Sequence, residues 1–434
     1  MHDINMSFLY LYTIAVLFLT VSINGIKTDD IRNHLGTRTP YRFKYNKDDS
    51  KIKYGNCKEQ KIWMLIRHGS RLPSAKDIIG AQTTLQDLKY EVLLQHNSGK
   101  GHLTSEQLKK LEHWASDMPV EQEKYLTLEG QDEMILLAER IQKKFPHIVK
   151  HKYDNNTFQF RYTATQRTQQ SARYFSLGLF DKKNSENVVF EPALKVDTTL
   201  RFYKHCERWQ KQVKKNPHSY KEQRLYGNSK EMNETLEYVS KYLGLDRLLS
   251  LDTVTLMYRI CGFETAWHKH AISPWCYAFN NEGIKRLEYF YDLKHYWVDG
   301  HGNELTHQPA CMLMKHMFHS ISNKGRNATF LFAHSGTLLK MLTYLQLYKP
   351  ESHLRGDTIN NKRSWRASNI DCFASNLAFV LFKCKDGEKV LTLHQEKIIK
   401  LPMCENELCP VKTLKEYYRN SIQNCNFADM CSVT

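Results

Sequence analysis

The chain has 434 residues, 12% of them aromatic and 25% charged, with no low-complexity tract, which excludes a disordered or fibrous protein. A chain of this length can bury a large core and is expected to form more than one lobe. The formal net charge of +16 favours a polyanionic partner, such as an acidic membrane or a highly phosphorylated small molecule. No nucleic-acid-binding motif accompanies the charge, so we do not expect nucleic acid as a partner. A basic surface that serves only solubility is the alternative, and the sequence does not indicate an oligomeric state.

The N-terminus has the pattern of an export signal. Residues 8–23 are nearly all apolar, and polar chain follows from Lys27. This predicts a signal peptide over residues 1–25, cleaved around Ser22 to Gly25. A signal anchor is the alternative, because no positive charge precedes the apolar stretch. Since no second apolar span follows, we expect no membrane span after cleavage, and a location outside the cell or in the lumen of the secretory pathway.

Cysteine content and glycosylation signals agree with export. Eleven cysteines fit an oxidising compartment, and their odd number predicts that at least one is free or pairs between chains. Acceptor sequences for N-glycosylation begin at Asn155, Asn233 and Asn327. We therefore expect a disulfide-bonded glycoprotein.

The most informative stretch follows an apolar segment, residues 62–66, that predicts a buried strand. It reads Arg67-His68-Gly69-Ser70-Arg71-Leu72-Pro73. Ligands of open α/β sheets bind at the carboxyl ends of strands. The guanidiniums of Arg67 and Arg71 can make paired contacts to phosphate oxygens, and the imidazole of His68 can attack phosphorus. Gly69 allows either a close backbone approach or a positive φ. The stretch therefore predicts a phosphoryl-transfer site.

Two further strand ends carry side chains of the same chemistry. The alternating segment 158–162 predicts a strand, and the helix after it has Arg167 in its first turn. A cation there opposes the helix dipole, and a bound anion would reverse that cost. The third segment, 328–332, ends just before His334 and another helix. Purely structural roles for Arg167 and His334 are the alternatives.

The rest of the chain divides by pattern. Residues 376–383 and 390–393 predict two strands joined by a turn, and so a hairpin. Residues 195–300 show helical patterns and predict an inserted, mainly helical lobe. This lobe contains a basic run from 201 to 230, with nine Lys or Arg against two acidic residues, which either overhangs the sheet edge or is a solvated face. The remaining divisions predicted are an α/β core over 50–194 and 301–400 and a cysteine-rich segment over 401–434.

The motif at 67–73 resembles the Arg-His-Gly-x-Arg-x-Pro signature of the histidine phosphatase superfamily, in the form of its acid phosphatase and phytase branch. The segment that begins at Arg167 is similar to the second phosphate-binding segment of that family. Further segments resemble its multiple inositol polyphosphate phosphatase branch: 200–206, 261–264, 273–276, 292–297, 401–404 and 408–410. The resemblance implies the histidine phosphatase fold, an α/β fold with a central, mostly parallel sheet flanked by helices, and a disulfide between Cys261 and Cys276.

The resemblance also implies a mechanism. His68 would attack phosphorus and carry the phosphoryl group, and water would then release phosphate. The phosphoryl oxygens would be held by the remaining site residues, Arg67, Arg71, Arg167 and His334. Because arginines would neutralise the charge, neither a metal nor another cofactor is expected. The implied substrates are inositol polyphosphates, with bisphosphoglycerate as a further possibility.

One position departs from the family pattern. Members carry a carboxylic acid just after the second histidine, as His-Asp or His-Ala-Glu, and this acid protonates the leaving alkoxide. Here the sequence continues from His334 as Ser335-Gly336, so the glutamate position has no side chain. General acid catalysis contributes roughly 10²–10⁴-fold to rate. Gly336 therefore predicts either a slow enzyme or another source of the proton.

Three explanations of Gly336 stay open at this point. Another group of the protein could donate the proton, a neighbouring phosphate of the substrate could donate it, or turnover could be lost. In the last case the chain would be a binding protein for phosphorylated metabolites or acidic glycans. A metal hydrolase is disfavoured, because His316 and His319, like His268 and His270, lack a third ligand at suitable spacing and are expected at the surface.

Overall fold

The computed structural model describes residues 30–322 and 325–433. The predicted signal peptide, residues 1–25, lies outside the described residues. The described chain forms one sheet of seven strands. The strands are β1 Cys57–Arg67, β2 Phe158–Tyr162, β3 Ala328–Ala333, β4 Asn376–Cys384, β5 Gly387–His394, β6 Lys397–Ile399 and β7 Leu408–Pro410.

The sheet is mixed. Its strand order is β2-β3-β1-β4-β5-β6, with β7 also paired to β5. Strand β3 runs parallel to both β1 and β2, whereas every pairing from β1–β4 outward is antiparallel. The predicted α/β class is confirmed, but the expectation of a mostly parallel sheet is wrong. The short β4–β5 connection produces the predicted hairpin, and a connection of that length can only join antiparallel strands.

Seventeen α-helices lie between and beyond the strands in the described part of the chain. They are α1 Ala75–Gly80, α2 Gln86–Asn97, α3 Ser105–Glu112, α4 Leu128–Lys144, α5 Gln166–Ser185, α6 Phe202–His205, α7 Glu207–Trp209, α8 Lys221–Gly227, α9 Lys230–Tyr242, α10 Leu251–Trp267, α11 Asn281–Asp299, α12 Cys311–Ile321, α13 Ser335–Tyr344, α14 Ala367–Ile370, α15 Val411–Tyr417, α16 Arg419–Gln423 and α17 Phe427–Cys431. Within the described ranges, none of them is both long and apolar enough to cross a membrane.

Helices cover both faces of the sheet, which explains the unbroken apolar run in β1. Trp63 and Leu65 pack into one core, shared with α10, α11, α12 and α13, while Ile62 and Met64 pack into another, shared with α4 and α5. Alternate residues of a strand point to opposite faces, so a strand covered on both sides is apolar at every position. The sheet edge at the end of β1 is therefore supported by apolar packing on both faces.

The stretch predicted as an inserted lobe, 195–300, contains α6 to α11 and no strand. Helices α1 and α2 pack in the same apolar core, so residues well before 195 contribute to this mass of helices. The division of the chain into a core and a separate lobe stays a prediction.

Five disulfides and one free cysteine account for all eleven cysteines. The odd number of cysteines predicts a free one, which is Cys372, and its side chain is buried. The Cys261–Cys276 pair implied by the resemblance is confirmed. The other pairs are Cys57–Cys384, Cys206–Cys431, Cys311–Cys425 and Cys404–Cys409.

Candidate active site

The ends of three parallel strands bring the predicted site residues together. Arg67, the last residue of β1, pairs with Ala333, the last residue of β3, and β2 ends one step away on the other side of β3. The next residues of β1 and β3 are His68 and His334, and their ring centroids are 5.6 Å apart. Arg167 lies in the first turn of α5, after β2, as predicted. The structure thus gathers residues from positions 67 to 334 at one sheet edge.

The loop after β1 is fixed by close backbone packing. A Cβ on Gly69 would lie 2.4 Å from the carbonyl oxygen of Gly130, and one on Gly130 would lie 2.2 Å from the carbonyl oxygen of Ser70. Both glycines are therefore required, because any side chain would separate the loop from α4. Of the two roles expected for Gly69, the structure supports the close approach, since its φ is not positive.

A buried carboxylate also holds this loop. Glu133 of α4 accepts hydrogen bonds from the backbone N–H of Ser70 at 2.6 Å and from its hydroxyl at 2.9 Å. Burial raises the pKa of Glu133 to about 7, and the bond from the Ser70 backbone acts in the opposite direction. Ser171 contributes too, because its hydroxyl oxygen accepts from the Gly69 N–H at 3.2 Å. The loop therefore presents His68 from a preorganised position.

The hydrogen bond of His68 determines its tautomer. Its Nδ1 lies 2.9 Å from the carbonyl oxygen of Gly69. A carbonyl can only accept, so Nδ1 carries the proton and Nε2 keeps its lone pair. Burial holds the pKa of His68 well below its usual range, and the charge of Arg167 adds to this effect. The ring is therefore neutral, with a nucleophilic nitrogen available.

The guanidinium of Arg67 is anchored by several contacts. Its Nη1 donates to the backbone oxygens of Thr37, at 2.8 Å, and of Asp371, and lies 3.7 Å from the Asp371 carboxylate. The guanidinium also packs over the ring of Phe373, 4.8 Å from its centroid. These contacts leave little freedom of orientation, as a preorganised anion ligand requires.

His334 has the opposite tautomer to His68. Arg167 Nη2 lies 3.1 Å from Nδ1 of His334, and Thr163 Oγ1 lies 2.8 Å from its Nε2. An arginine can only donate, so Nδ1 accepts and Nε2 carries the proton that Thr163 receives. Burial holds the pKa of His334 well below its usual range, and the charges of Arg167 and Arg201 add to this.

Positive charge is concentrated around the two histidines. Burial lowers the pKa of Arg71 to about 9 and that of Arg167 to about 10, with neighbouring arginines contributing to each shift. Two arginines outside the predicted set, Arg38 and Arg201, belong to this group, because their charges lower the pKa values of Arg71 and His334 respectively.

Several of these guanidiniums have donors to spare. Of the arginines around the two histidines, four have a buried Nε without a hydrogen-bond partner in the described part of the chain: Arg38, Arg67, Arg167 and Arg201. Buried polar groups are normally paired, and unpaired donors on neighbouring cations are complementary to an anionic ligand with several oxygens. The site is therefore suited to phosphate groups.

Comparison with known proteins identifies the family. The model of the histidine phosphatase superfamily (branch 2) matches residues 60–401. The chain belongs to this family. Multiple inositol polyphosphate phosphatase 1 of Drosophila melanogaster is 31% identical over 88% of this chain and 84% of its own length. The Homo sapiens protein of the same name is 26% identical, over 92% of this chain and 85% of its own length.

Solved structures of two relatives share the fold. The phytase from D. castellii superposes with a TM-score of 0.74 at 16% identity, covering 93% of this chain and 88% of its own. A Bifidobacterium longum multiple inositol polyphosphate phosphatase, solved with inositol hexasulfate, gives 0.62 at 12% identity, covering 86% and 94%. The fold and the enzyme class that the sequence predicts, a histidine acid phosphatase, are confirmed.

The position where the family pattern described above has an acid is filled differently here. Gly336 lies in the first turn of α13, and a Cβ on it would be 3.0 Å from Cζ and 3.2 Å from the hydroxyl of Tyr203. The aromatic end of Tyr203 thus occupies the space into which an acidic side chain would project. Ser335 donates its hydroxyl hydrogen to the buried carboxylate of Asp371.

Some residues of the histidine phosphatase site could not be found from the sequence. Thr163 directly follows β2, and its place at a strand end was the one available signal. Glu133 and Asp371 are single acidic residues in ordinary surroundings, without a motif. Arg201 belongs to the basic run from 201 to 230, and the charge of that run alone does not distinguish a site residue from a solvated one.

The histidines weighed as metal ligands have other surroundings. His268, His270 and His319 are exposed, as expected. The expected surface position is wrong for His316, which is half-buried. Its Nδ1 accepts a hydrogen bond from the indole N–H of Trp63 at 3.0 Å. No group of three or more His, Cys, Asp or Glu side chains in the described ranges is arranged to hold a metal.

Proposed function

We propose that this chain hydrolyses phosphomonoesters of inositol polyphosphates through a phosphohistidine on His68. The observation that carries the proposal is the unprotonated Nε2 of His68 within a group of arginines that have unpaired donors. A neutral imidazole is the nucleophilic form, and the arginines match the charge and geometry of a phosphoryl group.

The reaction follows from the positions of these groups. Nε2 of His68 forms a bond to phosphorus while the bond from phosphorus to the leaving oxygen breaks. Arg67, Arg71 and Arg167 hold the phosphoryl oxygens and stabilise the charge that accumulates on them. Water then attacks phosphorus, the N–P bond breaks, and phosphate leaves with the lone pair of His68 restored.

Binding would rearrange the contact between Arg167 and His334. Arg167 now donates to Nδ1 of His334. A phosphoryl oxygen is a stronger acceptor than an imidazole nitrogen, because it is charged. We expect Arg167 to exchange this bond for one to the substrate. A proton taken up on Nδ1 would then make His334 a further donor to the phosphoryl group.

A polyphosphorylated substrate is favoured by the charge beyond the reacting centre. Arg38 and Arg201 add unpaired buried donors to those of Arg67 and Arg167. Lys294 is also close to this charge, because burial, together with the charges of Lys214 and Arg38, lowers its pKa to about 8. A single phosphate cannot neutralise so many cations, whereas several phosphates on one ring can. The names of the relatives agree with this substrate class.

We also propose that the protein acts in the secretory pathway or outside the cell. Five disulfides support this, since such bonds persist in oxidising compartments. The apolar N-terminal segment and the three acceptor sequences for N-glycosylation support it from the sequence. Loss of secretion on deleting residues 1–25 would test the signal peptide.

The decisive experiment measures phosphate release from inositol hexakisphosphate by the purified protein and by His68→Ala, with a chelator present. We expect release by the first protein only, with unchanged circular dichroism of the variant. Release that persists in His68→Ala, or that stops with the chelator, would contradict the proposal.

Gly336 favours a second candidate, a binding protein for phosphorylated ligands without turnover. The two candidates differ in whether a covalent intermediate forms. Quenching a reaction with ³²P-labelled substrate in alkali should trap label on the protein that is stable to base, is lost in acid and is absent in His68→Ala. Tight binding of inositol hexakisphosphate without trapped label or released phosphate would favour the binding protein.

A further inference from the structure

We propose that the phenol of Tyr203 donates the proton to the leaving alkoxide, in place of the acid that Gly336 lacks. The inference rests on the proposed function. It assigns to a residue of the helical stretch a step that the phosphatase motif itself leaves without a donor.

The position of the hydroxyl carries the argument. It lies 3.2 Å from the place where a side chain at position 336 would begin. In the family that place is the origin of the donor carboxyl group, so the phenol lies in the volume that this carboxyl would enter. The absence of a side chain at Gly336 is what leaves room for the ring, since a Cβ would be only 3.0 Å from its Cζ.

The ring is held firmly in that position. Trp209 packs edge-on against Tyr203 with centroids 5.6 Å apart, and the ammonium of Lys340 lies 4.7 Å above its centroid. Lys340 is itself fixed by an ion pair of 2.5 Å to Asp299. Tyr203 is largely buried, with 8% of its surface exposed. A donor must keep its orientation through the reaction, and these contacts provide that.

The surrounding charges suit proton donation. Burial raises the pKa of Tyr203 to about 12, while the positive charges of Arg201 and Arg167 favour the phenolate. The phenol therefore stays protonated over the working range of an acid phosphatase. An aliphatic alcohol is a weaker acid still, similar to water with its pKa of about 15.7, so transfer to an alkoxide is downhill. Arg167 lies near both groups, because its charge acts on the phenol and its Nη2 lies 3.1 Å from Nδ1 of His334.

The proton balance closes over the two steps. When the P–O bond breaks, the leaving oxygen takes the electron pair and the phenolic proton, so an alcohol departs and a phenolate remains. When water attacks the phosphohistidine, the phenolate accepts a proton from that water. The N–P bond breaks, phosphate is released, and Tyr203 regains its starting state.

Asp371 is the competing donor. Its carboxyl accepts from the hydroxyl of Ser335, and burial raises its pKa to about 7. The carboxyl is completely buried beside Arg67, so it could reach a substrate only through Ser335. Tyr203 is favoured because its own hydroxyl borders the position of the missing acid.

The test compares two kinds of substrate in Tyr203→Phe, a variant that keeps the ring and its packing. Glycerol phosphate has a poor leaving group that needs a proton, whereas p-nitrophenyl phosphate has a good one that does not. We expect kcat/KM for glycerol phosphate to fall by about 10²-fold or more, and that for p-nitrophenyl phosphate to stay nearly unchanged. The ratio kcat/KM is used because slow release of phosphate from His68 does not affect it.

Two further variants sharpen the test. Adding Gly336→Glu to Tyr203→Ala, in which no ring blocks position 336, should restore much of the rate on glycerol phosphate that Tyr203→Ala loses, because it returns a carboxylic acid to the family position. In Asp371→Asn the ratio of the two rates should stay that of the wild type. The inference is overturned if Tyr203→Phe lowers both rates equally or neither, or if Asp371→Asn causes the selective loss.

The proposed function and this inference fail in different ways. If the unaltered protein hydrolyses neither substrate nor inositol hexakisphosphate, the proposed function is contradicted, and the role of Tyr203 with it. If all are hydrolysed in a manner that depends on His68 and Tyr203→Phe has no selective effect, the proposed function stands and only the donor assignment is overturned.

Discussion

Arg167 and His334, which are 167 positions apart in the chain, contact each other directly, with Nη2 of the arginine 3.1 Å from Nδ1 of the histidine. The contact fixes the tautomer of His334, because an arginine can only donate. It also gives the guanidinium of Arg167 and the imidazole of His334 a hydrogen-bond partner in each other, where each would otherwise need a separate one. Without a ligand, the two side chains are therefore held by each other, and we expect a phosphoryl oxygen to replace this contact when the proposed substrate binds.

The two histidines should show opposite tautomers. In His68 the proton is on Nδ1, which donates to Gly69, and in His334 it is on Nε2, which faces Thr163. Because burial holds both pKa values well below their usual range, both rings should stay neutral at pH 6. Two-dimensional ¹⁵N spectra, assigned with His68→Ala and His334→Ala, check this. A doubly protonated ring at pH 6 would contradict it.

Arg71→Lys should be severely impaired although the charge is kept. Lysine is a point charge and cannot reproduce the planar fork of a guanidinium. Arg71 also lies 5.2 Å over the ring of Phe263, which orients it. We expect kcat/KM for inositol hexakisphosphate to fall by about 10²–10³-fold. Arg173→Lys, at an exposed position of α5, is the matched control and should behave as the wild type.

Glu133→Gln should loosen the loop that carries His68. Both carboxylate oxygens accept bonds from Ser70, whereas an amide offers one oxygen to the backbone N–H and turns a donor toward the Ser70 hydroxyl, which must then reverse its role and accept. We expect kcat to fall by about 10-fold or more, since small displacements of a reacting group are costly. Glu139→Gln, exposed on the same helix, serves as the control. Equal kcat for the two variants would show that Glu133 does not position the loop.

Asp371 should make the stability depend on pH. Burial raises its folded pKa to about 7, above the unfolded value of about 3.9. Below about pH 4 both states hold the proton, and between pH 4 and 7 only the folded state keeps it, so the free energy of unfolding falls as pH rises. Asp371→Asn removes this loss.

The measurement for Asp371 is denaturant unfolding at pH 4 and pH 7. The decrease between the two should be smaller in Asp371→Asn than in the wild type, by an amount on the order of 4 kcal/mol. Asp117→Asn, at an exposed position, should leave the wild-type decrease unchanged. The same decrease in all three proteins would mean that Asp371 titrates normally.

The number of reactive thiols per chain tests the disulfide pairing. Cys372 is buried, and burial raises its pKa to about 12, so the native protein should not react with a thiol reagent at neutral pH. Unfolding without a reductant should expose one thiol per chain. More than one would contradict the five disulfides, and none would indicate that Cys372 pairs between chains.

Local patterns were sufficient for the elements that carry the chemistry. The strands ending at Arg67 and before His334 are short apolar segments followed by polar residues, the strand before Thr163 alternates apolar and polar residues, and each strand end was predictable. Arg167 in the first turn of a helix was predictable as well. The two apolar segments are recognisable because a strand buried on both faces needs an unbroken apolar run, and the alternating one because successive side chains of a strand point to opposite faces.

Long-range pairing was beyond such patterns. The antiparallel addition of β4 to β1 made the sheet mixed, and nothing in either strand alone indicates its partner. In the same way, the sequence left two roles open for Gly69, because its close contact with Gly130 follows only from the tertiary structure.

By itself, the sequence determined the candidates for the site, because each lies in a local motif: His68 as the proposed nucleophile, the three arginines Arg67, Arg71 and Arg167, the second histidine His334, and Gly336 where the family pattern has an acid. The tertiary structure alone decided that Glu133 holds the loop, that Asp371 lies beside Arg67, and that Tyr203 fills the space beside Gly336. The physical reason is that these contacts join residues 63 to 304 positions apart, on helices and loops whose approach is set by packing of the whole core rather than by local preference.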